Sequence, residues 1–396
     1  MWQKNKWDVS RIKRRKMEKV RVGIIGVGGM GSGHAKNIKE IEETELTAVS
    51  DVDQETLDKV AQEYNVPGFT DYKELIKSGL VDAVFIATPH YFHPEIGIAA
   101  MEAGLHCLSE KPIAVSVKEA DAFLEAAKRT GKVFGVMYQT RTLPIIRKAR
   151  EIIESGKLGE IRRTSMINPD YRCQAYYDSG TWRATWSGEG GGVLINQAPH
   201  GMDLFMLLGG MPSRVTARVR TKLHKIEVED EADAVLEYPN GAWGYYFVST
   251  DEAPAGKRIE IVGDNGKLLL DDETLKFYSL KTSIPEFTVE NKVMWGGPEV
   301  VEEKLELPEC ETGHKTIAKN FARCILHGEK LLAPGEDGIK SVEFINAIIL
   351  SGKKNKPVDI PLNREEYEEL LKGLKKSSVQ KKNVKAQRVT DPGLTK

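Results

Sequence analysis

Three stretches of this chain place residues at spacings that chemistry can use. In VRVGIIGVGGMGSGH, residues 20–34, Gly26, Gly28 and Gly31 stand in G-x-G-x-x-G spacing. Such glycines give a tight turn, room for the backbone to approach a pyrophosphate, and close packing of the helix behind. The first turn of that helix offers unpaired N–H groups to phosphate, with Val27, Gly29 and Met30 completing the loop. The second stretch is Glu110-Lys111-Pro112. The third runs from Gly190-Gly191-Gly192 through Asn196 and Pro199 to His200, with Asp203 just beyond. A histidine takes up a proton near neutral pH without a large pKa shift. A lysine polarises an oxygen, or shares a proton when burial lowers its pKa. Each feature also has a plainer reading. Glycine turns are common, a lone lysine is most often a surface charge, and His200 beside Leu204, Leu207 and Leu208 suits a core position.

These residues need elements to position them. Val22, Ile24 and Ile25 read as a strand buried on both faces of a parallel sheet. A second strand over residues 46–50 ends at Asp51, placed to accept hydrogen bonds from an adenosine ribose. No arginine follows in Asp51-Val52-Asp53-Gln54, so a ribose 2′-phosphate would face carboxylates, and NAD is favoured over NADP. The pattern continues with a helix over 54–64, a strand over 81–87 and a helix over 95–103 closed by Gly104. A strand over 105–108, a helix from a Ser116/Glu119 capping box to Gly131, and a strand over 133–138 follow. This rhythm predicts a doubly wound parallel sheet. Ligands bind beyond the carboxyl ends of such strands, where Thr88, Pro89, His90, Glu110 and Lys111 should meet.

From about Arg141 the texture changes. A helix over 144–155 precedes strands predicted at 161–167, 214–223, 232–238, 242–249, 258–262 and 267–270, with Asn240-Gly241 and Asn265-Gly266 as hairpin turns. Two late helices are expected near 314–327 and 339–351. The expected organisation is an α/β cofactor domain at 20–140 and an α+β domain with a mixed or mainly antiparallel sheet at 141–362. A basic extension at 1–19 and a C-terminal helix with a Lys-rich tail at 363–396 flank them.

A chain of 396 residues has room for two cores, and a formal net charge of -1 argues against nucleic acid or a membrane surface as the main partner. No apolar run is long enough to span a bilayer. The Lys/Arg-rich ends read as solvated tails, and Met17, just before the first strand, could serve as a start. Arg14-Arg15 resembles a twin-arginine signal only superficially, because no apolar segment follows it. Cys107, Cys173, Cys310 and Cys324 are scattered, without metal-ligand spacing, so no metal is expected and a reducing, cytoplasmic setting is.

Taken in order, the glycine loop, Asp51, Thr88-Pro89 with His93, Glu110-Lys111-Pro112 and the triple glycine leading to His200 and Asp203 resemble one family. It is the glucose-fructose oxidoreductase, inositol dehydrogenase and MocA-like family, Gfo/Idh/MocA, and the resemblance spans roughly residues 20–362. It implies a Rossmann domain, then a domain with a large open-faced sheet, and a nicotinamide cofactor with His93 among its contacts. It further implies redox chemistry at a hydroxyl-bearing carbon of a sugar or cyclitol, a homodimer or homotetramer built through the sheet face, and catalytic roles for Lys111 and His200. Taking hydride from CH–OH requires the hydroxyl proton to leave too, so a base must lie within hydrogen-bond reach. His200 would be that base, and Lys111 would polarise the oxygen. Where many relatives carry aspartate this chain has Asn196, which supplies neither a proton acceptor nor charge and is expected to orient the substrate. Asn196 and His200 would share a face of a continuous helix, but Pro199 interrupts the hydrogen-bond ladder. Asp203 reads as a structural partner.

Between these motifs, Tyr171, Arg172, Tyr177, Trp182 and Arg183 are candidate substrate contacts, since rings pack on the C–H faces of a pyranose or cyclitol while polar groups meet its hydroxyls. The rings could equally pack on the sheet, and the arginines could pair with local acids. The leading expectation is an NAD-dependent dehydrogenase of a ring hydroxyl in a sugar, anhydrosugar or inositol. Two alternatives are a redox-neutral, NAD-dependent glycoside hydrolase and a non-catalytic sugar sensor; the pairing of Lys111 with His200 disfavours the sensor.

Overall fold

A computed structural model describes residues 18–379. The readings placed on the basic extension through Met17, and on the tail beyond Val379, lie outside the described residues. The N-terminal unit alternates strictly: β1 (Val20–Ile25), α1 (Gly29–Lys39), β2 (Thr44–Ser50), α2 (Gln54–Tyr64), β3 (Gly68–Phe69), α3 (Tyr72–Lys77), β4 (Ala83–Ile86), α4 (Phe92–Glu102), β5 (His106–Ser109), α5 (Val117–Thr130) and β6 (Phe134–Val136). The strands form one parallel sheet in the order β3-β2-β1-β4-β5-β6, the doubly wound arrangement that the alternation predicts. Val22 and Ile24 are fully buried, as a strand covered on both sides requires. Asp53 caps α2 by accepting from the Thr56 N–H, and Ser116 caps α5 by accepting from the Glu119 N–H. Helix α4 starts at Phe92 rather than Glu95, because Pro94 is tolerated in a first turn.

After a short 3-10 turn (Gln139–Thr142) come α6 (Pro144–Glu154), β7 (Ile161–Pro169), α7 (Gln174–Tyr177), α8 (Val193–Asn196) and α9 (Pro199–Gly209). Next are β8 (Arg214–Arg220), β9 (Glu231–Glu237), β10 (Trp243–Ser249), β11 (Arg258–Gly263), β12 (Gly266–Asp271), β13 (Thr274–Leu280), α10 (Ile284–Glu290) and β14 (Val300–Glu302). The last elements are α11 (His314–His327), α12 (Gly335–Lys354), β15 (Val358–Asp359) and α13 (Arg364–Ser377). The second sheet has nine strands in the order β14-β13-β12-β11-β7-β10-β9-β8-β15, antiparallel except where β7 and β10 run side by side. Strand β8 stops at Arg220, short of the expected 223, because the Asp230 carboxylate accepts from the N–H groups of Lys222, Leu223 and His224 and turns the chain away.

Alternation along β10 sorts the two faces. Tyr246 is buried against Phe205 and Phe344, while Trp243 and Tyr245 stand exposed on the far side with Val235. One face therefore carries the core and the other is open. Helix α12 lies on β8 and α9 and also on α5 and β6, joining the two units. Its buried Asn346 accepts from the Val117 N–H and donates to the Val115 carbonyl, satisfying both backbone groups across that junction. Among the described residues no helix is long and apolar enough to cross a membrane.

Candidate active site

A cavity of about 700 Å3 opens at the carboxyl ends of β1, β2, β4 and β5 and reaches α8 and α9. The glycine loop forms one end. Gly26 has φ of +87°, and a Cβ there would stand 2.8 Å from the Ala87 carbonyl group. A Cβ on Gly31 would lie 1.9 Å from the Gly26 oxygen, so α1 packs too closely for any side chain at that position. Gly28, by contrast, has nothing within 4 Å of a Cβ position, and it lines the cavity with Gly26, Gly29 and Met30. Val27 turns its side chain into the core and donates its N–H to Asp51 Oδ2 at 2.8 Å, while Asp51 Oδ1 accepts from the Asp53 N–H at 3.0 Å. Those two bonds fix the Asp51 carboxylate at the cavity wall with lone pairs to spare.

Thr88, Pro89, His90, His93, Glu110 and Lys111 line the middle of the same cavity. Glu110 is buried, and its Oε1 lies 2.8 Å from His34 Nε2. Burial would raise its pKa, but the His34 hydrogen bond and the neighbouring Lys111 charge hold it down at about 2. Both His93 nitrogens sit on backbone carbonyls, of Pro112 at 2.8 Å and Thr88 at 2.7 Å, so the ring ties the Glu110-Lys111-Pro112 turn to the end of β4. His90 packs edge-on to Trp182, and burial pushes its pKa down to about 3. Lys111 Nζ donates to the Asn196 carbonyl at 3.0 Å. Burial pulls its pKa below the usual lysine value against the opposing charges of Glu110 and Glu189.

The continuous helix that would align Asn196 with His200 does not form. Gln197 and Ala198 separate α8 from α9, which Pro199 opens at its first turn. Both side chains nonetheless line the cavity. Asn196 Nδ2 donates to the buried carboxylate of Glu189. Gln139 Nε2 lies 3.2 Å from His200 Nε2. Burial, with the Lys111 charge behind it, drives the His200 pKa down to about 3, so the ring is neutral. Asp203 is buried in a bidentate pair with Arg141, which also reaches Asp337 at 2.8 Å.

Trp182 and Arg183 also face the cavity, with the guanidinium stacked 4.5 Å from both the Trp182 and Tyr176 rings. Gly31, Val27, Tyr171, Arg172 and Tyr177 are not brought to it. Tyr171 is exposed, Arg172 pairs with Asp170 at 2.7 Å, and Tyr177 is buried with its hydroxyl 2.6 Å from Thr250 Oγ1. Sequence reasoning missed Gln139, His314, His34 and Glu189. Gln139 follows the carboxyl end of β6, a position the strand rule points to, and Glu189 directly precedes the triple glycine. His34 and His314 are contributed by α1 and α11, and nothing in their spacing marks them.

The residues present fit a dinucleotide. The glycine loop leaves backbone room where a Cβ would intrude, Asp51 offers acceptors to a ribose, and Thr88 Oγ1, Gln139 Oε1 and His200 Nδ1 are buried polar atoms with no partner among the described residues. A doubly wound sheet whose glycine turn meets a buried lysine and a neutral histidine defines a dinucleotide-binding oxidoreductase. The comparisons agree. Residues 20–138 match the family model for the oxidoreductase family with an NAD-binding Rossmann fold, and residues 146–269 match the GFO/IDH/MocA C-terminal domain. The chain belongs to the Gfo/Idh/MocA family of NAD-binding oxidoreductases. It is 26% identical over 353 residues to a levoglucosan dehydrogenase of Pseudarthrobacter phenanthrenivorans, covering 79% of this chain and 89% of that one. It is 24% identical over 300 residues to the NADP(+) scyllo-inositol 2-dehydrogenase IolW of Bacillus subtilis, covering 73% and 81%. Among solved structures it is similar to the WlbA dehydrogenase of Bordetella pertussis in complex with NADH and UDP-GlcNAcA, at 26% identity and a TM-score of 0.74, covering 87% of this chain and all of that one.

Proposed function

We propose that the protein is an NAD-dependent dehydrogenase that oxidises a ring CH–OH of a sugar, anhydrosugar or inositol. The observation that carries this reading is the meeting of Lys111 and His200 in one cavity whose far end is the glycine loop and Asp51. Relatives named for levoglucosan and scyllo-inositol support the substrate class. Bound NAD supplies the hydride acceptor. Around it, His200, which lines the cavity and whose Nδ1 has no hydrogen-bond partner among the described residues, takes the hydroxyl proton. Lys111, held against the Asn196 carbonyl, polarises the same oxygen. Trp182 and Arg183 wall the ring, and Asp51 disfavours a 2′-phosphate. The reading assigns residues 20–140 to the cofactor and 141–362 to the substrate, and assembly through the open sheet face, where Trp243, Tyr245 and Val235 are exposed, belongs with it.

Lys111→Ala and His200→Ala test the assignment. Each should keep NADH binding, read by fluorescence titration, while kcat falls by roughly a hundredfold or more. Turnover within a few-fold of wild type in either folded variant would show that the residue is not part of the chemistry.

A further inference from the structure

Glu189 is a buried carboxylate, 2% exposed, on the turn before the triple glycine. It touches the cavity wall through others. Its Oε1 accepts from Asn196 Nδ2 and lies 3.7 Å from Arg183 Nη1, and its Oε2 accepts from the Ala184 N–H at 2.6 Å. Its backbone carbonyl lies 3.1 Å from His90 Nδ1. Ala184 is itself buried in the left-handed region at φ of 56°, a conformation that persists only where its surroundings over-determine it. The backbone N–H of Ala184 therefore fixes one carboxylate oxygen as an acceptor.

We infer that Glu189 is a positioning residue that sets the hydrogen-bonding sense of Asn196, so that Asn196 offers its carbonyl oxygen, and not its amide, to a substrate hydroxyl. An ionised carboxylate only accepts, whereas an asparagine side chain donates from one branch and accepts on the other. With Nδ2 committed to Glu189, the acceptor branch is the one left to the cavity, which Asn196 lines beside Lys111 and His200. The Asn196 backbone carbonyl meanwhile holds Lys111 Nζ at 3.0 Å. One residue thus places both the ammonium and the acceptor for a neighbouring hydroxyl. A polyol supplies such a hydroxyl beside the reacting one. This rests on the proposed function, and it adds the polarity of the subsite.

Glu189→Gln separates sense from shape. The Ala184 N–H is a backbone donor and keeps its acceptor, so the introduced glutamine must turn its amide nitrogen toward Asn196, which then flips and presents Nδ2 to the substrate. The double variant Glu189→Gln with Asn196→Asp restores the match, because the introduced aspartate accepts from the glutamine amide and offers an acceptor oxygen to the cavity. The readout is calorimetric binding of levoglucosan, with scyllo-inositol as second probe, to the NADH-loaded protein. E189Q should weaken binding by about five- to tenfold, what a hydrogen bond between neutral groups contributes. The double variant should return to within about threefold of wild type, and NADH affinity should stay level in all three proteins. If E189Q does not fold, the double variant decides, by folding and binding or not. E189Q binding as wild type, a double variant no better than the single, or a wild type that binds neither probe would each overturn the inference. A wild type that binds the polyol but forms no NADH would instead sink the dehydrogenase reading and leave the polarity of Asn196 standing.

Discussion

Desolvation lowers the pKa of two histidines at the cavity and of a third on β5. His90 and His200 are driven down to about 3 by burial first and by nearby positive charge second, and His106, on β5, to about 4. A histidine kept neutral in the folded state takes a proton on unfolding once the pH is below its ordinary value. Stability from these groups is therefore complete above about pH 6.5 and is lost as the pH falls toward their folded values. Glu110, held at about 2, adds to the loss below the ordinary glutamate range. The melting temperature should fall steadily from about pH 6.5 to pH 4, with at most about 1.4 kcal/mol lost per pH unit for each fully buried histidine. His106→Asn, which can still accept from the Val133 N–H, should flatten that slope in scanning calorimetry. A melting temperature level across the range would show that the histidines take up protons in the folded protein as readily as in the unfolded chain. At this scale the sequence was informative where a residue follows a strand end: Thr88, Glu110 and Lys111 were legible for that reason. Tyr177 and Glu189 were not, because whether a ring or a carboxylate faces a cavity or a core depends on neighbours outside its own element, such as Thr250 for the first and Asn196 for the second.

The element that most constrains the site is the triple glycine leading into α8. A Cβ on Gly192 would stand 1.8 Å from the Glu229 carbonyl oxygen, and the Glu229 side chain accepts from the Gly192 and Leu194 N–H groups at 2.8 and 3.2 Å. Glu229 thus holds the start of the short helix that carries Asn196, although burial pushes its own pKa up to about 7. Gly192→Ala must displace that backbone, at a cost of about 1–3 kcal/mol. Its melting temperature should drop, and polyol turnover should suffer far more than NADH binding, which depends on the distant glycine loop. Equal loss of both would place the triple glycine in the cofactor subsite instead. The long periodic elements were readable from sequence: α2, α5, α6 and α11 carry caps or an apolar stripe, and the β9/β10 and β11/β12 hairpins carry Asn-Gly turns. The short ones were not. Strands β3 and β15 have two residues each, too few for any period, and exist because longer neighbours offer them a free edge. The break between α8 and α9 was foreshadowed by Pro199 alone.

At the scale of the molecule, the cavity is a product of two sheets that the chain joins through α12. The parallel sheet supplies the glycine loop, Asp51 and Lys111 from its strand ends, while the helices over the nine-stranded sheet supply Asn196 and His200. That division was legible from the switch between alternating helices and strands and the hairpin-rich remainder. The packing of α12 against both units was not, since its apolar pattern names no partner. What this joint cavity does is reached most directly by one assay: nicotinamide reduction followed by absorbance, with NAD or NADP, across sugars, anhydrosugars and inositols. NADH should form with at least one ring polyol, and NAD should be preferred over NADP by about tenfold or more, because Asp51 sets a carboxylate where a 2′-phosphate would lie. No reduced cofactor with any ring polyol, from protein that binds NADH, would contradict the dehydrogenase assignment.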